Sequence, residues 1–222
     1  MRFKTPEVLT AELSRLDAMS VFELKCRKEH GAKLICGVDE AGRGPLAGPV
    51  VAAAVVLPEN CIILGLNDSK KLSAARREAL FDEIMQKAVS VGLGSSSCKV
   101  IDQINILQAT LLAMETAVGK LSSAPDFLLL DAVSLKNISI SQESIVKGDA
   151  KSVSIAAASI IAKVTRDRLM NEYDKVYPKY GFTKHKGYGT AEHIAAIKKY
   201  GLCPIHRRSF TKNFIQSPEQ TN

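Results

Sequence analysis

The sequence predicts an α/β domain that ends in a helical C-terminal part. Between residues 34 and 176, short apolar runs typical of buried strands alternate with segments of helical spacing. Beyond residue 176, loops and short helical stretches alternate. Hydrophobic residues make up 46% of the 222 residues and charged residues 24%, a balance that indicates a globular chain and excludes a disordered one.

The chain begins with a helical segment and continues into two strands. Residues 1–30 carry mixed charge and scattered leucines, and Gly31 is the expected end of this N-terminal helical extension. The extension carries no chemical motif, and it either packs on the domain or is partly mobile. Two apolar runs, 34–38 and 50–57, flank a short connection rich in Gly and Pro, which predicts a pair of strands.

The middle of the chain predicts two helices with a strand between them. The first helix is expected over 74–89, where apolar residues recur on one stripe and charged residues lie outside it. A weaker strand follows at 90–97. The second helix has Asp102 as its expected N-cap. Its apolar positions recur at helical intervals, at Leu107, Leu111, Met114 and Val118.

The last strands and the longest helix follow. Residues 127–130 form a short apolar run, and a further short strand is predicted at 144–147. A long helix rich in Ala and Ile is expected over 152–176, and a shorter helix over 190–200. The polar tail, 213–222, is expected to be mobile.

Composition limits the class of protein. Lys and Arg total 30 against 23 Asp and Glu, which gives a formal net charge of +7. That excess fits a polyanionic partner, and equally a solvated charged face. The five cysteines contain no Cys-x-x-Cys pair, which argues against a zinc or redox site. No signal peptide or membrane span is recognised, so we expect a soluble, cytoplasmic monomer with no membrane partner.

Acidic residues stand where the predicted strands stop, at Asp39 with Glu40, at Asp131 and at Asp149. Active sites of α/β sheets lie at strand ends, where side chains leave the packed layers. Four converging carboxylates repel one another unless a divalent cation neutralises them, and Mg²⁺ prefers oxygen ligands. Two such ions form an arrangement that hydrolyses phosphodiester bonds. The alternative is that each acid caps a turn or pairs with a lysine, and Asp149 in KGDAK suits either role.

The adjacent acids Asp39 and Glu40 raise a geometric question. Consecutive residues of a strand point to opposite faces of the sheet. Both side chains reach one site only if the strand ends or bulges between them. The glycines at 42, 44 and 48 make such a change of backbone direction plausible.

Two loops carry residues suited to a polyanion. In GRGPLAGP, glycines let the backbone approach a ligand, and Arg43 between Gly42 and Gly44 is placed to hold a phosphate. The second loop, NDSKKLS, contributes Ser69, Lys70 and Lys71. It precedes a helix start, where anions bind favourably. Ordinary turns and solvated loops are the alternative explanation for both.

The C-terminal part contains two further basic loops. KHKGYG brings two lysines, a histidine and Tyr188 together, and HRRSF adds His206, Arg207 and Arg208. Basic loops with an aromatic residue suit a nucleic-acid backbone and one stacked sugar or base. The histidines lack metal-ligand spacing and a triad pattern, so surface or substrate contacts are expected of His185, His193 and His206.

At GVDEAGRGPLAGPVV the sequence resembles the opening of the ribonuclease HII family, the type 2 ribonucleases H. The resemblance covers residues 34–210 in the family's order, through NDSKKLS, LLLDA, KGDAKSVSIAAASIIAKVTRDRLM, YGFTKHKGYGT and HRRSF. It implies a ribonuclease H-like fold, with a central mixed five-stranded sheet flanked by helices and a helical C-terminal region, over 31–212. The sister type 3 enzymes usually carry Lys in place of Arg43 and a large N-terminal domain, for which 1–30 is too short.

Carried over residue by residue, the family's catalytic and metal-binding acids fall on Asp39, Glu40, Asp131 and Asp149. The KGD position matches the fourth acid better than Asp167 does. The resemblance implies that the Gly-Arg-Gly motif reads the ribonucleotide 2′-hydroxyl, mainly through its backbone. Tyr188 is implied to stack on the sugar of the following deoxynucleotide. The expected substrate-binding residues are Gly42, Arg43, Gly44, Ser69, Lys70, Lys71, Lys147, Lys186, Tyr188 and Arg207.

The resemblance implies an endoribonuclease that depends on Mg²⁺ or Mn²⁺. It would cleave the RNA strand of RNA–DNA hybrids and nick duplex DNA 5′ of embedded ribonucleotides, as in ribonucleotide excision repair, leaving 3′-hydroxyl and 5′-phosphate ends. A non-catalytic hybrid-binding protein is the alternative, disfavoured because all four acids are present. A small-molecule phosphatase is weaker still, because it does not explain the basic loops.

Overall fold

The computed structural model describes residues 5–214, so most of the predicted polar tail lies outside the described residues. The strands are β1 (Ile35–Ala41), β2 (Val50–Val56), β3 (Ser90–Ser96), β4 (Phe127–Asp131) and β5 (Ser141–Ile145). The helices are α1 (Pro6–Met19), α2 (Val21–His30), α3 (Ala74–Lys87), α4 (Cys98–Gly119), α5 (Val153–Val176), α6 (Phe182–His185), α7 (Ala191–Tyr200) and α8 (Arg208–Thr211). Within this range, no helix is long and apolar enough to span a lipid bilayer.

The described strands form one mixed sheet in the order β3-β2-β1-β4-β5. β1 pairs antiparallel with β2, and β2 pairs antiparallel with β3. β4 lies parallel to β1, and β5 lies parallel to β4. This sheet with its flanking helices confirms the expected fold. Because β1 and β4 run in the same direction, their carboxyl ends lie side by side.

Helices cover both faces of the sheet. On one face, α5 and α3 pack against inward side chains of β2. On the other face, α4 packs against β1, β2 and β4. The strand β2 is buried along its whole length, which explains its uninterrupted apolar sequence VVAAAVV.

Close packing of α5 on β1 depends on Gly37. A Cβ atom at this position would lie 2.0 Å from the carbonyl carbon of Ser154, in the first turn of α5. Only glycine permits this approach, because the clash would involve backbone rather than a movable side chain. The segment that leads into α5 therefore lies beside the end of β1, where Asp39 is located.

The expected N-cap of the second predicted helix is wrong. α4 begins at Cys98, and the Ser97 hydroxyl accepts the Val100 backbone N–H as its cap. Asp102 lies inside α4, and its carboxylate accepts the backbone N–H groups of Arg208 and Ser209 instead. Asp102 thus caps the distant helix α8 rather than its own helix.

The strand predicted at 144–147 lies earlier in the chain, at Ser141–Ile145. β5 is the edge of the sheet next to β4, and only Ile145 of its five residues is buried. A strand that is solvated along one edge and one face carries few apolar residues. The apolar pattern was therefore a poor guide to its start.

The N-terminal helices pack on the domain. Leu16 and Met19 join the core beneath α5, and Cys26 joins a smaller apolar cluster at the start of β1 and β4. Glu23 in α2 is only 7% exposed. Its carboxylate accepts hydrogen bonds from the Ser152 hydroxyl and the Ser154 backbone N–H, at the N-terminus of α5.

Candidate active site

Three of the predicted acids meet at the carboxyl ends of β1 and β4. Val38 pairs with Leu130, so the next residues, Asp39 and Asp131, lie on adjacent strands. Asp149 belongs to the short 3-10 turn after β5. One carboxylate oxygen from each of these three aspartates lies within 4.8 Å of the others. The Gly148 N–H donates to Asp131 Oδ1 over 2.7 Å, which ties this turn to β4.

Glu40 lies beside this group but outside it. β1 continues through Glu40 to Ala41 in regular pairing with β2, so the strand neither ends nor bulges between the two acids. Glu40 Oε1 lies 3.4 Å from Arg43 Nη1. Its Oε2 atom is buried and has no hydrogen-bond partner among the described residues. A buried carboxylate oxygen without a partner is costly and indicates that a further ligand completes its environment.

Burial and mutual repulsion shift the titration of the two acids in β1. Burial raises the pKa of the Asp39 carboxyl well above its usual range, and the charges of Glu40 and Asp131 raise it further. Burial also raises the pKa of Glu40, a shift that the neighbouring Arg43 guanidinium partly opposes. These acids therefore resist being ionised together unless a cation lies between them.

The pKa of Asp149 is also raised, and a lysine lies beside this carboxylate. Burial raises the pKa of Asp149, and the charge of Asp68 raises it further. Lys70 Nζ lies 3.4 Å from Asp149 Oδ2 and opposes that shift. The Lys70 side chain is 77% exposed, so this ammonium group is able to turn toward a phosphate.

The donor set fits a hard divalent cation. The three clustered aspartates offer only carboxylate oxygens, the ligands that Mg²⁺ and Mn²⁺ prefer. The orphan oxygen of Glu40 adds a fourth carboxylate beside them. No sulfur or imidazole ligand belongs to this group within residues 5–214.

The Gly-Arg-Gly loop follows β1 directly. Gly42 has φ +99, and a Cβ atom there would lie 2.0 Å from Arg166 Nε, so both conformation and space require glycine. Arg43 and Gly44 are exposed. A Cβ atom at Gly44 would lie 3.8 Å from Tyr188 Cε1, which places the Tyr188 ring next to the loop. The predicted Gly-Arg-Gly and Tyr188 positions are therefore neighbours.

Two buried arginines hold this loop in place. Arg207 is 0% exposed and donates to the carbonyl oxygens of Gly42, Arg43 and Gly48. Arg166 is equally buried and donates to the carbonyls of residues 47, 49 and 186. Arg207 was expected to contact substrate. Its burial and its carbonyl partners instead make it a support for the backbone of the Gly-Arg-Gly loop.

The NDSKKLS loop divides into buried and exposed residues. Ser69 is buried, and its hydroxyl lies 2.9 Å from the Ser159 hydroxyl of α5, so it anchors the loop rather than facing solvent. Arg77 of α3 donates to the Ser69 carbonyl over 3.0 Å. Lys70 and Lys71 remain exposed. The loop therefore presents its two lysines from a fixed backbone.

The remaining predicted substrate contacts differ in accessibility. Lys147 is exposed, with a left-handed φ of 57 just before the turn that carries Asp149. Tyr188 is 46% exposed. Lys186 is half-buried, and its Nζ donates to Asn171 Oδ1 and the Thr183 carbonyl, so its ammonium group is already engaged within the protein.

Comparison with known proteins matches this site to one family. A family model described as Ribonuclease HII matches residues 36–213, a range that includes every residue of the candidate active site. The chain belongs to the ribonuclease HII family. The ribonuclease HII of Acetivibrio thermocellus is 65% identical over 204 residues, which cover 92% of this chain and 79% of the relative. The ribonuclease HII of Enterococcus faecalis is 60% identical over 192 residues, which cover 86% of this chain and 74% of that relative.

A solved structure agrees with this assignment. The ribonuclease H2 from Pyrococcus horikoshii superposes with a TM-score of 0.68 at 29% identity, covering 83% of this chain and 100% of that chain. Membership of the ribonuclease HII family confirms that the protein is a ribonuclease H, a nuclease of the hydrolase class.

The three histidines of the C-terminal part are not at the surface. His185, His193 and His206 are 8%, 0% and 3% exposed, so the expectation of surface or substrate contacts is wrong. They surround Phe182, which contacts all three rings. The available signal was their concentration, since three of the four histidines of the chain fall within 185–206. The spacing patterns of metal ligands and catalytic triads did not detect this buried cluster.

Proposed function

We propose that the protein cleaves the RNA strand of RNA–DNA hybrids and nicks duplex DNA on the 5′ side of embedded ribonucleotides. The metal-binding set would be Asp39, Glu40, Asp131 and Asp149. When bound, two Mg²⁺ or Mn²⁺ ions would activate a water molecule for in-line attack and neutralise charge at the leaving oxygen. Products would carry 3′-hydroxyl and 5′-phosphate ends, the form needed to begin ribonucleotide excision repair.

The residues of the chain supply position and charge. Asp39 and Asp131 fix the acidic centre, because they lie on adjacent parallel strands and cannot move independently. Lys70, exposed beside Asp149, is placed to take a phosphate oxygen once a cation replaces it as the partner of that carboxylate. Exposed Arg43 and Lys71 add charge-assisted contacts to the backbone of the substrate.

Recognition of the ribonucleotide is assigned to the loop after β1. The exposed Gly44 has no side chain, so its backbone allows close approach of a sugar, and the 2′-hydroxyl is the group that separates RNA from DNA. Tyr188 lies next to Gly44, at the place where the following sugar would stack. The observation that carries the proposal is this juxtaposition of the acidic centre with the Gly-Arg-Gly loop and Tyr188.

The proposal is tested with a labelled DNA duplex that contains one internal ribonucleotide, and with a long RNA–DNA hybrid. Each is incubated with Mg²⁺, with Mn²⁺ and with chelator. We expect one cut immediately 5′ of the ribonucleotide, lost with chelator. Cleavage of the hybrid alone would contradict junction recognition. Binding without cleavage of either substrate would support a non-catalytic hybrid-binding protein instead.

A further inference from the structure

A buried chain of hydrogen bonds ends on the backbone of Tyr188. The Cys203 backbone N–H lies 2.9 Å from His206 Nδ1. His206 Nε2 lies 3.0 Å from His193 Nε2. His193 Nδ1 lies 2.9 Å from the carbonyl oxygen of Tyr188. Two histidines therefore link the loop before α8 to the residue beside the Gly-Arg-Gly loop.

The Tyr188 end of the chain fixes the protons of the two neutral imidazoles. At the other end, His206 Nδ1 lies near a donor, the Cys203 N–H, and near the Cys203 sulfur and carbonyl oxygen, at 3.1 Å and 3.3 Å. The Tyr188 carbonyl only accepts, so His193 Nδ1 carries the hydrogen, and the Nε2 of a neutral His193 accepts. His206 Nε2 must then donate, which leaves the Nδ1 of a neutral His206 to accept from the Cys203 N–H. A proton added to His193 would go to Nε2 and would set two N–H groups against each other across 3.0 Å.

The surroundings favour this neutral arrangement. Burial lowers the pKa of His193, and it lowers the pKa of His206 to about 4, with the charge of His193 contributing. The His185 ring stacks on His193 at a centroid distance of 4.5 Å, and the edge of Phe182 closes another side at 5.4 Å. The imidazoles therefore have one tautomer each and little room to turn.

A third histidine, His185, holds the rest of the Tyr188 turn. The Gly187 N–H donates to His185 Nδ1 over 3.2 Å, and the Tyr188 N–H donates to the His185 carbonyl over 2.9 Å. Tyr188 is 46% exposed, so packing leaves about half of this residue unrestrained. The direction of the Tyr188 Cα–Cβ bond, from which the ring projects, is set by the backbone at residues 187 and 188, which these hydrogen bonds restrain.

We propose that His193, which donates to the Tyr188 carbonyl and accepts from His206, is a positioning residue that aims Tyr188 at the substrate. This inference rests on the proposed function, because it assumes that Tyr188 senses the junction. His193 does not touch the substrate. It acts by donating to the Tyr188 carbonyl, and a small rotation of that peptide would move the ring away from Gly44.

Two variants separate the two hydrogen bonds of His193. His193→Asn keeps an N–H near the former Nδ1 and so keeps the bond to Tyr188. His193→Gln keeps a polar group near the former Nε2 and so keeps the bond to His206. The measured quantity is the rate of cleavage at a single embedded ribonucleotide divided by the rate on a long hybrid. We expect His193→Gln to lower this ratio by at least about tenfold, and His193→Asn to keep it near the wild-type value.

A double variant shows whether the effect passes through Tyr188. Tyr188→Ala with His193→Gln should have the same ratio as Tyr188→Ala alone. Equal losses on both substrates in His193→Gln, with an unchanged ratio, would overturn the inference and leave a purely structural role. If the wild type cuts neither substrate, the proposed function itself fails. A normal wild type and a sensitive Tyr188→Ala, with an insensitive His193→Gln, would reject the inference alone.

The wild-type protein offers a test that does not depend on folding of the variants. Nitrogen-15 chemical shifts of the imidazoles distinguish the two neutral tautomers. We expect His193 to carry its proton on Nδ1 and His206 on Nε2. A His193 protonated on Nε2 would overturn the inference, because it could not donate to the Tyr188 carbonyl.

Discussion

At the scale of single residues, Arg166 and Arg207 direct buried guanidinium groups at backbone carbonyls rather than at carboxylates. Burial lowers the pKa of Arg207, and the charge of Arg166 beside it lowers it further. The planar fork of arginine satisfies several carbonyls at once, which a lysine ammonium group does not. These two side chains therefore set the shape of a loop whose exposed residues we propose to face the substrate.

We expect Arg207→Lys to reduce the free energy of unfolding by about 2 kcal/mol or more, because it leaves buried carbonyls without donors. Urea denaturation measures the change. Arg208→Lys is the matched control, because the Arg208 side chain next to Arg207 is exposed. This substitution should change the free energy of unfolding by less than about 0.5 kcal/mol. Equal effects of the two substitutions would show that the carbonyl contacts contribute nothing.

Asp39→Asn is expected to abolish cleavage while hybrid binding is kept. The loss of cleavage activity should exceed the roughly 10–100-fold drop that follows removal of a residue that only hydrogen-bonds to a metal ligand, because Asp39 would bind the cation directly. Asp39 is only 4% exposed and adds little to the surface that meets the substrate. Cleavage assays and hybrid-binding titrations test both statements, with exposed Asp82→Asn as control.

The same substitution has a predicted effect on stability. The pKa of Asp39 is raised in the folded protein, so its ionised form at neutral pH opposes folding. In chelator, Asp39→Asn should therefore melt at the same temperature as the wild type or higher. A clearly lower melting temperature would contradict the repulsion described for the acidic centre.

At the scale of elements, a polar contact joins the N-terminal extension to the catalytic core. Glu23 of α2 accepts from Ser152 and Ser154, at the start of α5. That start lies directly on Gly37 of β1. Anions are favoured at helix N-termini, so the Glu23 carboxylate stabilises the position of α5. The extension thus supports the segment that carries Asp149 into the site.

Glu23→Ala should lower the free energy of unfolding by about 1–3 kcal/mol, the contribution of hydrogen bonds to a charged group. Thermal or urea unfolding provides the measurement. Glu29→Ala, on an exposed position of the same helix, controls for the loss of a charge and should stay within about 0.5 kcal/mol of wild type. An equally stable Glu23→Ala protein would mean that α2 does not hold α5.

The elements show why sequence reasoning succeeded in some places and failed in others. β2 and β4 were predicted because buried strands need continuous apolar runs. The cap that Asp102 provides for α8 was not predicted. Its partner Arg208 lies 106 residues away, and no local sequence pattern records that contact. Asn105, with φ 66, also interrupts α4 where the helical periodicity continues.

The site divides in the same way. Asp39 and Asp131 were predicted because each follows an apolar strand, and parallel strands bring such ends together. The structural role of Arg207 was not predicted, because the sequence of a basic loop does not reveal which of its arginine or lysine side chains is buried. The chain from His206 to Tyr188 depends on ring orientations and was likewise beyond a one-dimensional pattern.

At the scale of the whole molecule, the formal charge of +7 predicts salt-dependent binding to a polyanion. Lysines that contact phosphates release counterions, so each one adds to the slope of log affinity against log salt concentration. Lys71 is exposed in the loop beside the acidic centre. Lys120 is also exposed, but it follows α4 and precedes the amino end of β4, whereas the acidic centre lies at the carboxyl end of β4.

Lys71→Gln should reduce the salt slope of hybrid binding by about one, whereas Lys120→Gln should leave it unchanged. Binding titrations at several salt concentrations, in chelator to prevent cleavage, measure both slopes. Equal slopes for the two variants would place Lys71 outside the nucleic-acid interface.

The acidic centre draws its members from segments far apart in the chain, with Asp39 in β1, Asp131 in β4 and Asp149 beyond β5. During synthesis, β1 and β2 emerge early and are able to pair, while the segment after β5 has yet to be made. A growing chain that lacks this segment consequently lacks one of the three clustered aspartates. The acidic cluster is complete only after the turn that carries Asp149 has been made and has docked beside β4.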